Sequence, residues 1–231
     1  MKVVILAGGL GTRISEYTKS IPKPMIPLNG KPIIYYIMKH FYNHGFKNFY
    51  VAIGYKGIVL KDYFRKNKFP WDVKLIETGQ KTMTGGRIKK LKKYIGNERF
   101  FMTYGDGLSD VNVSNLLNFH IKNKKLATLT AVRPPARFGK IKLNKINNVT
   151  LFREKSSLDE GWINGGFFVL EPKVFSLIKS DKTFFEKEPL QKLSKKGQLK
   201  AYKHRKIWQC MDTVRDKEIL EKLLKKKIIK F

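Results

Sequence analysis

Residues 1–14 read MKVVILAGGLGTRI. A strand-like apolar run ends at Gly8 and Gly9, and Gly11, Thr12 and Arg13 follow. Glycine-rich turns after strands often hold phosphate, but this one has neither familiar spacing. A Walker A loop requires a Gly-Lys-Ser/Thr ending, which the stretch lacks. The dinucleotide fingerprint G-x-G-x-x-G requires glycine at position 14, which is Ile14. What remains is a loop of Gly8, Gly9 and Gly11 whose backbone can approach a ligand closely. Its N–H groups can face phosphate or a base edge, and Arg13 adds a guanidinium suited to phosphate oxygens. A tight strand-to-loop turn with a surface arginine accounts for the same residues equally well.

Strand-like runs alternate with helix-period segments along the rest of the chain. In KPIIYYIMKHFYNHG, residues Ile33, Ile34, Ile37, Met38 and Phe41 recur at helical spacing, and Gly45 is placed to end the helix. NFYVAIGY reads as a second strand, followed by a helix near residues 59–65, and DVKLIETG as a third strand. GGRIKKLKKYIG predicts a basic amphipathic helix and RFFMTYGDG a fourth strand. Asp110 is the expected N-cap of a helix in DVNVSNLLNFHIKNK. LATLTAVRPP and NVTLFREK read as strands, INGGFFVLEPKVF as a strand passing into a short helix, and TVRDKEILEKLLKKKIIK as a terminal helix. This alternation predicts an α/β fold with a doubly wound, mostly parallel sheet and helices on both faces. Ligands of such sheets bind beyond the carboxyl ends of the strands. Those ends are LAGGLGTR, ETGQKTMTGGR, TYGDG and WQCMDT, where polar residues and glycines gather.

A length of 231 residues suits a single domain, residues 1–231. No apolar run approaches the roughly 18 residues of a membrane span, and the first strand leads straight into the glycine turn with no leader-like segment. The lone Cys210 has no internal disulfide partner. The expectation is a soluble, cytoplasmic protein that does not insert into membranes. Lys and Arg number 48 against 18 Asp and Glu, a net charge of +30. That charge predicts attraction to polyanions. The lysines are scattered rather than grouped in an arm, so a solvated lysine surface explains them without any specific nucleic acid.

Three further residues carry chemistry. Lys23, in IPKPM, lies between two prolines that stiffen its backbone, and a rigidly presented lysine suits a polyphosphate. Asp106, in TYGDG, ends a buried strand between two glycines. Asp212, in WQCMDT, has a similarly apolar setting. Mg²⁺ is usually held by one or two carboxylates plus substrate phosphates, and both aspartates fit that role. Helix capping is the simpler reading of Asp212, which precedes Thr213 and a helix.

Taken in order, LAGGLGTR, PKPM, GKPIIYYIM, GYKG, TMTGGR, TYGDGLSDVN, PPARFG, WINGGFFVLEP, EPL and WQCMDTVRDK resemble the glucose-1-phosphate cytidylyltransferases. These belong to the sugar-nucleotide pyrophosphorylase group of nucleotidyltransferases. The resemblance implies a Rossmann-like, GT-A-like nucleotidyltransferase fold, with a nucleotide half over about residues 1–110 and a sugar half over about residues 111–231. It implies Mg²⁺ as cofactor, CTP and glucose 1-phosphate as substrates, and a homo-oligomer. It assigns Leu6, Ala7, Gly8, Gly9, Leu10, Gly11, Thr12 and Arg13 to the nucleotide, with Lys23 near the α-phosphorus. Thr82 and Arg87 would stand at the base end, and Gly105 would let the nucleotide pass. Asp106 and Asp212 would hold the metal, and Lys23, Arg13 and Asp106 would carry catalysis. Gly139, Glu154, Lys155, Asn164 and Gly165 would contact the hexose phosphate. Ser156 stands where the family usually has proline. The reaction has no task for the four histidines, which are assigned to structure. A related transferase using another base or sugar is the alternative enzyme, and a polyanion-binding protein without turnover is the alternative of another class.

Overall fold

A computed structural model describes residues 1–134, 139–154 and 161–229. The first part runs β1 (Lys2–Ala7), α1 (Ser15–Thr18), β2 (Pro27–Leu28), β3 (Lys31–Pro32), α2 (Ile33–Asn43), β4 (Asn48–Ile53), α3 (Gly57–Lys66) and β5 (Asp72–Glu77). Next come α4 (Thr84–Lys90), α5 (Lys92–Ile95), β6 (Phe100–Tyr104), β7 (Gly107–Ser109), α6 (Val113–Asn123) and β8 (Ala127–Val132). The remainder is β9 (Lys140–Leu143), β10 (Val149–Arg153), β11 (Ile163–Asn164), β12 (Phe168–Leu170), α7 (Glu188–Lys195), β13 (Leu199–Lys203), β14 (Trp208–Cys210) and α8 (Val214–Lys225).

β1 lies between β4 and β6, with β5 outside β4, and all three pairings are parallel. Beyond β6 the sheet is mixed. β12 runs antiparallel to both β6 and β8, β11 continues along the same edge of β8, and β13 pairs parallel on its other edge. The sheet is thus dominated by parallel pairings.

The β1 sequence explains its central place. A strand covered on both faces needs apolar residues at successive positions. Val3, Ile5 and Ala7 face a core shared with α2, α3, α6 and α8, whereas Val4 and Leu6 face one shared with α4, α5 and α7. Helices cover both faces, as the alternation predicts.

Two local expectations are corrected. Asp110 does not cap α6. Asn112 does, its side chain accepting from Asn115 N at 2.8 Å, while Asp110 Oδ1 instead accepts from Ile207 N at 2.9 Å and pairs with His204. The single basic amphipathic helix is two short ones, α4 and α5, broken at Leu91, and Arg87 of α4 points inward. The lysine-dense KKGQLKAYKHRK contains β13, whose exposed lysines suit the free edge of a sheet.

Candidate active site

Asp106 and Asp212 meet through a two-stranded ribbon. β7 and β14 pair antiparallel with Gly107 opposite Cys210. That register places the residue before β7 beside the residues after β14, and Met211 N donates to Asp106 O at 2.8 Å. Trp208 of the ribbon donates from its indole to Gly165 O at 2.8 Å, which ties β14 to the end of β11. Asp212 is not a helix cap. Thr213 caps α8 in a reciprocal box with Asp216, and Asp216 Oδ2 also accepts from Asp212 N at 3.1 Å. The Asp212 carboxylate is therefore left to the site.

Lys23 sits between the two carboxylates. Its Nζ lies 2.7 Å from Asp106 Oδ2 and 2.7 Å from Asp212 Oδ1. Arg13 reaches the other oxygen of Asp212 at 2.6 Å. Pro22 precedes a short 3₁₀ turn, Lys23–Met25. The Pro24 ring packs so closely on Gly105 that a Cβ there would lie 2.9 Å from Pro24 Cγ. Gly105 N donates to Leu6 O, so the ends of β1 and β6 and the proline turn form one unit. Burial pulls the Lys23 pKa down, but Asp106 and Asp212 outweigh it and the net direction is up. Burial raises the Asp212 pKa, but Lys23 and Arg13 outweigh that and hold it low.

The glycine loop rests on Arg87. The residue is 3% exposed, and its guanidinium donates to Gly8 O at 2.7 Å, Thr78 Oγ1 at 2.6 Å and Gly79 O at 2.8 Å. A Cβ on Gly8 would lie 2.1 Å from Arg87 Nη1, so glycine is the residue that permits the brace. Leu6, Ala7 and Gly8 are buried, and Gly9, Leu10, Thr12 and Arg13 are exposed beside Gly11. Thr82 is also buried and donates to Thr78 O at 2.5 Å.

Asn164 and Gly165 lie at the end of β11. Asn164 Oδ1 accepts from Gly166 N at 3.0 Å, and its amide donates to Tyr104 OH at 3.4 Å. Gly165 N donates to Thr130 O at 2.9 Å. Gly139 and Glu154 are neighbours at the base of the β9–β10 hairpin, where Glu154 Oε2 stands 3.3 Å from a Cβ built on Gly139. Lys155 lies outside the described residues.

A family profile described as "Nucleotidyl transferase" matches residues 2–221. The chain belongs to the nucleotidyl transferase family. It is 45% identical over 249 aligned residues to the glucose-1-phosphate cytidylyltransferase of Salmonella typhimurium, covering 98% of this chain and 96% of that one. It is 40% identical to a probable glucose-1-phosphate cytidylyltransferase of Bacillus subtilis, covering 94% and 93%. Among solved structures, HddC from Yersinia pseudotuberculosis complexed with GMP-PN superposes with a TM-score of 0.77. It is 27% identical, with 96% of this chain and 99% of that one covered.

In this nucleotidyl transferase, Asp106, Cys210 and Asp212 offer ligand atoms within 4.8 Å of one another. Two carboxylate oxygens gathered around the Lys23 ammonium already hold one cation, so the donor set fits a hard divalent ion. The thiol fits it less well, because burial, followed by the nearby Asp106, pushes the Cys210 pKa well up.

Sequence reasoning missed the residues that hold this arrangement. Glu186 accepts from Tyr104 OH at 2.6 Å and from Thr84 Oγ1 at 2.5 Å, bracing the strand end next to Asp106. Asp216 fixes the backbone of Asp212 and Thr213. The capping-box spacing from Thr213 to Asp216 could have revealed Asp216, whereas nothing local marks Glu186. The four histidines all have structural partners: His40 with Val111 O, His44 with His40 O, His120 with Thr128 and Glu171, and His204 with Asp110.

Proposed function

We propose that this nucleotidyl transferase joins CTP and α-D-glucose 1-phosphate to give CDP-glucose and pyrophosphate. The near-full-length similarity to the Salmonella cytidylyltransferase carries the choice of substrates. The charged cluster at the strand ends supports the chemistry. An oxygen of the sugar phosphate attacks the α-phosphorus of CTP in line. The bond from that phosphorus to the bridging oxygen of the β-phosphate breaks, and pyrophosphate leaves. The attacking oxygen is already anionic, so the step has no need of a general base, and catalysis lies in positioning and charge stabilisation.

Lys23 and Arg13 meet the phosphates, with Lys23 nearest the α-phosphorus, and the backbone of residues 8–12 lines the nucleotide. Asp106 and Asp212 would hold Mg²⁺, which when bound neutralises phosphate charge. Thr82 and Arg87 belong to the base end. Arg87 acts there through the loop that it braces, because its guanidinium is spent on Gly8, Thr78 and Gly79. Gly139, Glu154, Lys155, Asn164 and Gly165 are assigned to the hexose phosphate. A homo-oligomeric, cytoplasmic enzyme supplying CDP-glucose for dideoxyhexoses of surface polysaccharide such as O-antigen completes the reading. Incubation with CTP, glucose 1-phosphate and Mg²⁺ is expected to yield CDP-glucose by chromatography, with formation stopped by EDTA. Absence of that product at millimolar substrates would overturn the assignment.

A further inference from the structure

Two of the three N–H donors of the Lys23 ammonium are taken by carboxylates, which leaves one for a phosphate. The Lys23 side chain is 9% exposed and its ammonium is held at 2.7 Å by Asp106 and by Asp212. Arg13 covers the second oxygen of Asp212. Four charges therefore alternate, Arg13, Asp212, Lys23, Asp106, and sum to zero. Of the four carboxylate oxygens available to a divalent cation, the ammonium holds one on each aspartate and Arg13 holds a third. A cation there with Lys23 in place would set like charges a few ångströms apart in a poorly hydrated site.

We propose that Lys23 is the internal counter-ion of the nucleotide-free enzyme and sets its loading order. The divalent cation settles between Asp106 and Asp212 only as a nucleoside triphosphate draws Lys23 and Arg13 onto its phosphates. The inference rests on the metal-dependent transferase reading above. Metal alone would strand a buried ammonium without its partners, which is strongly unfavourable. Triphosphate alone would strand two neighbouring carboxylates. With both ligands present every charge is re-paired, the cations by phosphate oxygens and the carboxylates by the metal. Metal and triphosphate therefore bind cooperatively, and the coupling is reciprocal. The proline-flanked turn fixes the backbone of Lys23, so its flexible side chain makes the move.

Titrating Mn²⁺ into nucleotide-free wild type and Lys23→Met, with free Mn²⁺ followed by electron paramagnetic resonance, tests this. The variant is expected to bind Mn²⁺ at least tenfold more tightly, and adding Asp106→Asn is expected to remove the gain. Equal or weaker binding by Lys23→Met overturns the proposal. Should the variant fail to fold, wild-type crystals soaked in Mn²⁺ with and without CTP give a second readout by anomalous scattering. An ion between Asp106 and Asp212 only in the CTP soak supports the proposal, and an equally occupied ion in both soaks overturns it. An ion in neither soak overturns the metal assignment as well. An error in the sugar or the base would leave these metal readouts unchanged and would appear in the product assay.

Discussion

Asp106 stands where β6 ends, with Gly105 before it pressed against Pro24 and Gly107 after it in the β7–β14 ribbon. Its backbone is thereby fixed while its carboxylate faces Lys23. Asp106→Asn keeps the shape of the side chain and removes the charge. Turnover is expected to fall by about 1,000-fold, the scale of a lost charge-stabilising group, with an unchanged far-ultraviolet circular dichroism spectrum. Near-normal turnover at saturating Mg²⁺ would remove Asp106 from the metal site. At this scale the sequence is informative about which residues matter and silent about what they touch. The PKPM, YGD and MDT stretches single out Lys23, Asp106 and Asp212. That Lys23 lies between the two aspartates depends on packing between stretches 83 and 189 residues away.

Among the elements, α4 does more than its sequence suggests. Read as part of a basic amphipathic helix, it buries Arg87 and uses it to join the glycine loop after β1 to the segment after β5. Replacing Arg87 by Met would leave the carbonyls of Gly8 and Gly79 and the Thr78 hydroxyl short of a donor. A loss of about 2–3 kcal/mol in urea denaturation is expected, with a raised KM for CTP because the loop loses its brace. An unchanged stability combined with a lost CTP affinity would instead mean that Arg87 contacts the nucleotide directly. The amphipathic pattern failed here because a buried arginine counts as a polar residue in any periodicity. Asp110 failed as a cap for a related reason. Asn112, two residues on, has the same capping chemistry, and Asp110 is taken by His204 and Ile207 N from a segment 94 to 97 residues away. The parallel core strands were legible because burial on both faces demands unbroken apolar runs. β13, at a sheet edge among lysines, was not, because an edge strand makes no such demand.

For the whole molecule, the two apolar layers on either face of the sheet set stability, and the buried histidines His40 and His120, whose pKa values burial lowers, contribute to its pH dependence. His40 is 5% exposed beside Val111 O. Burial, helped by His44, lowers its pKa from 6.5 to about 4. Between those values the unfolded chain carries the proton and the folded one does not, so stability rises with pH through this window and falls as pH drops from 6.5 to 4. The loss attributable to His40 is up to roughly 3 kcal/mol. Denaturation series at pH 7 and pH 4.5 are expected to show it, and His40→Gln is expected to reduce the dependence by the His40 share, leaving that of His120 and the carboxylates. The same slope in the variant would place the effect elsewhere.

The family, the fold and the charged cluster all serve one claim, that this protein transfers a cytidylyl group to glucose 1-phosphate. The most direct measurement is kcat/KM for pyrophosphate release with glucose 1-phosphate and each of the four ribonucleoside triphosphates in turn. CTP is expected to lead by at least tenfold, a difference of about 1.4 kcal/mol in transition-state binding. Equal values for the four, or a lead for GTP, UTP or ATP, would contradict the claim.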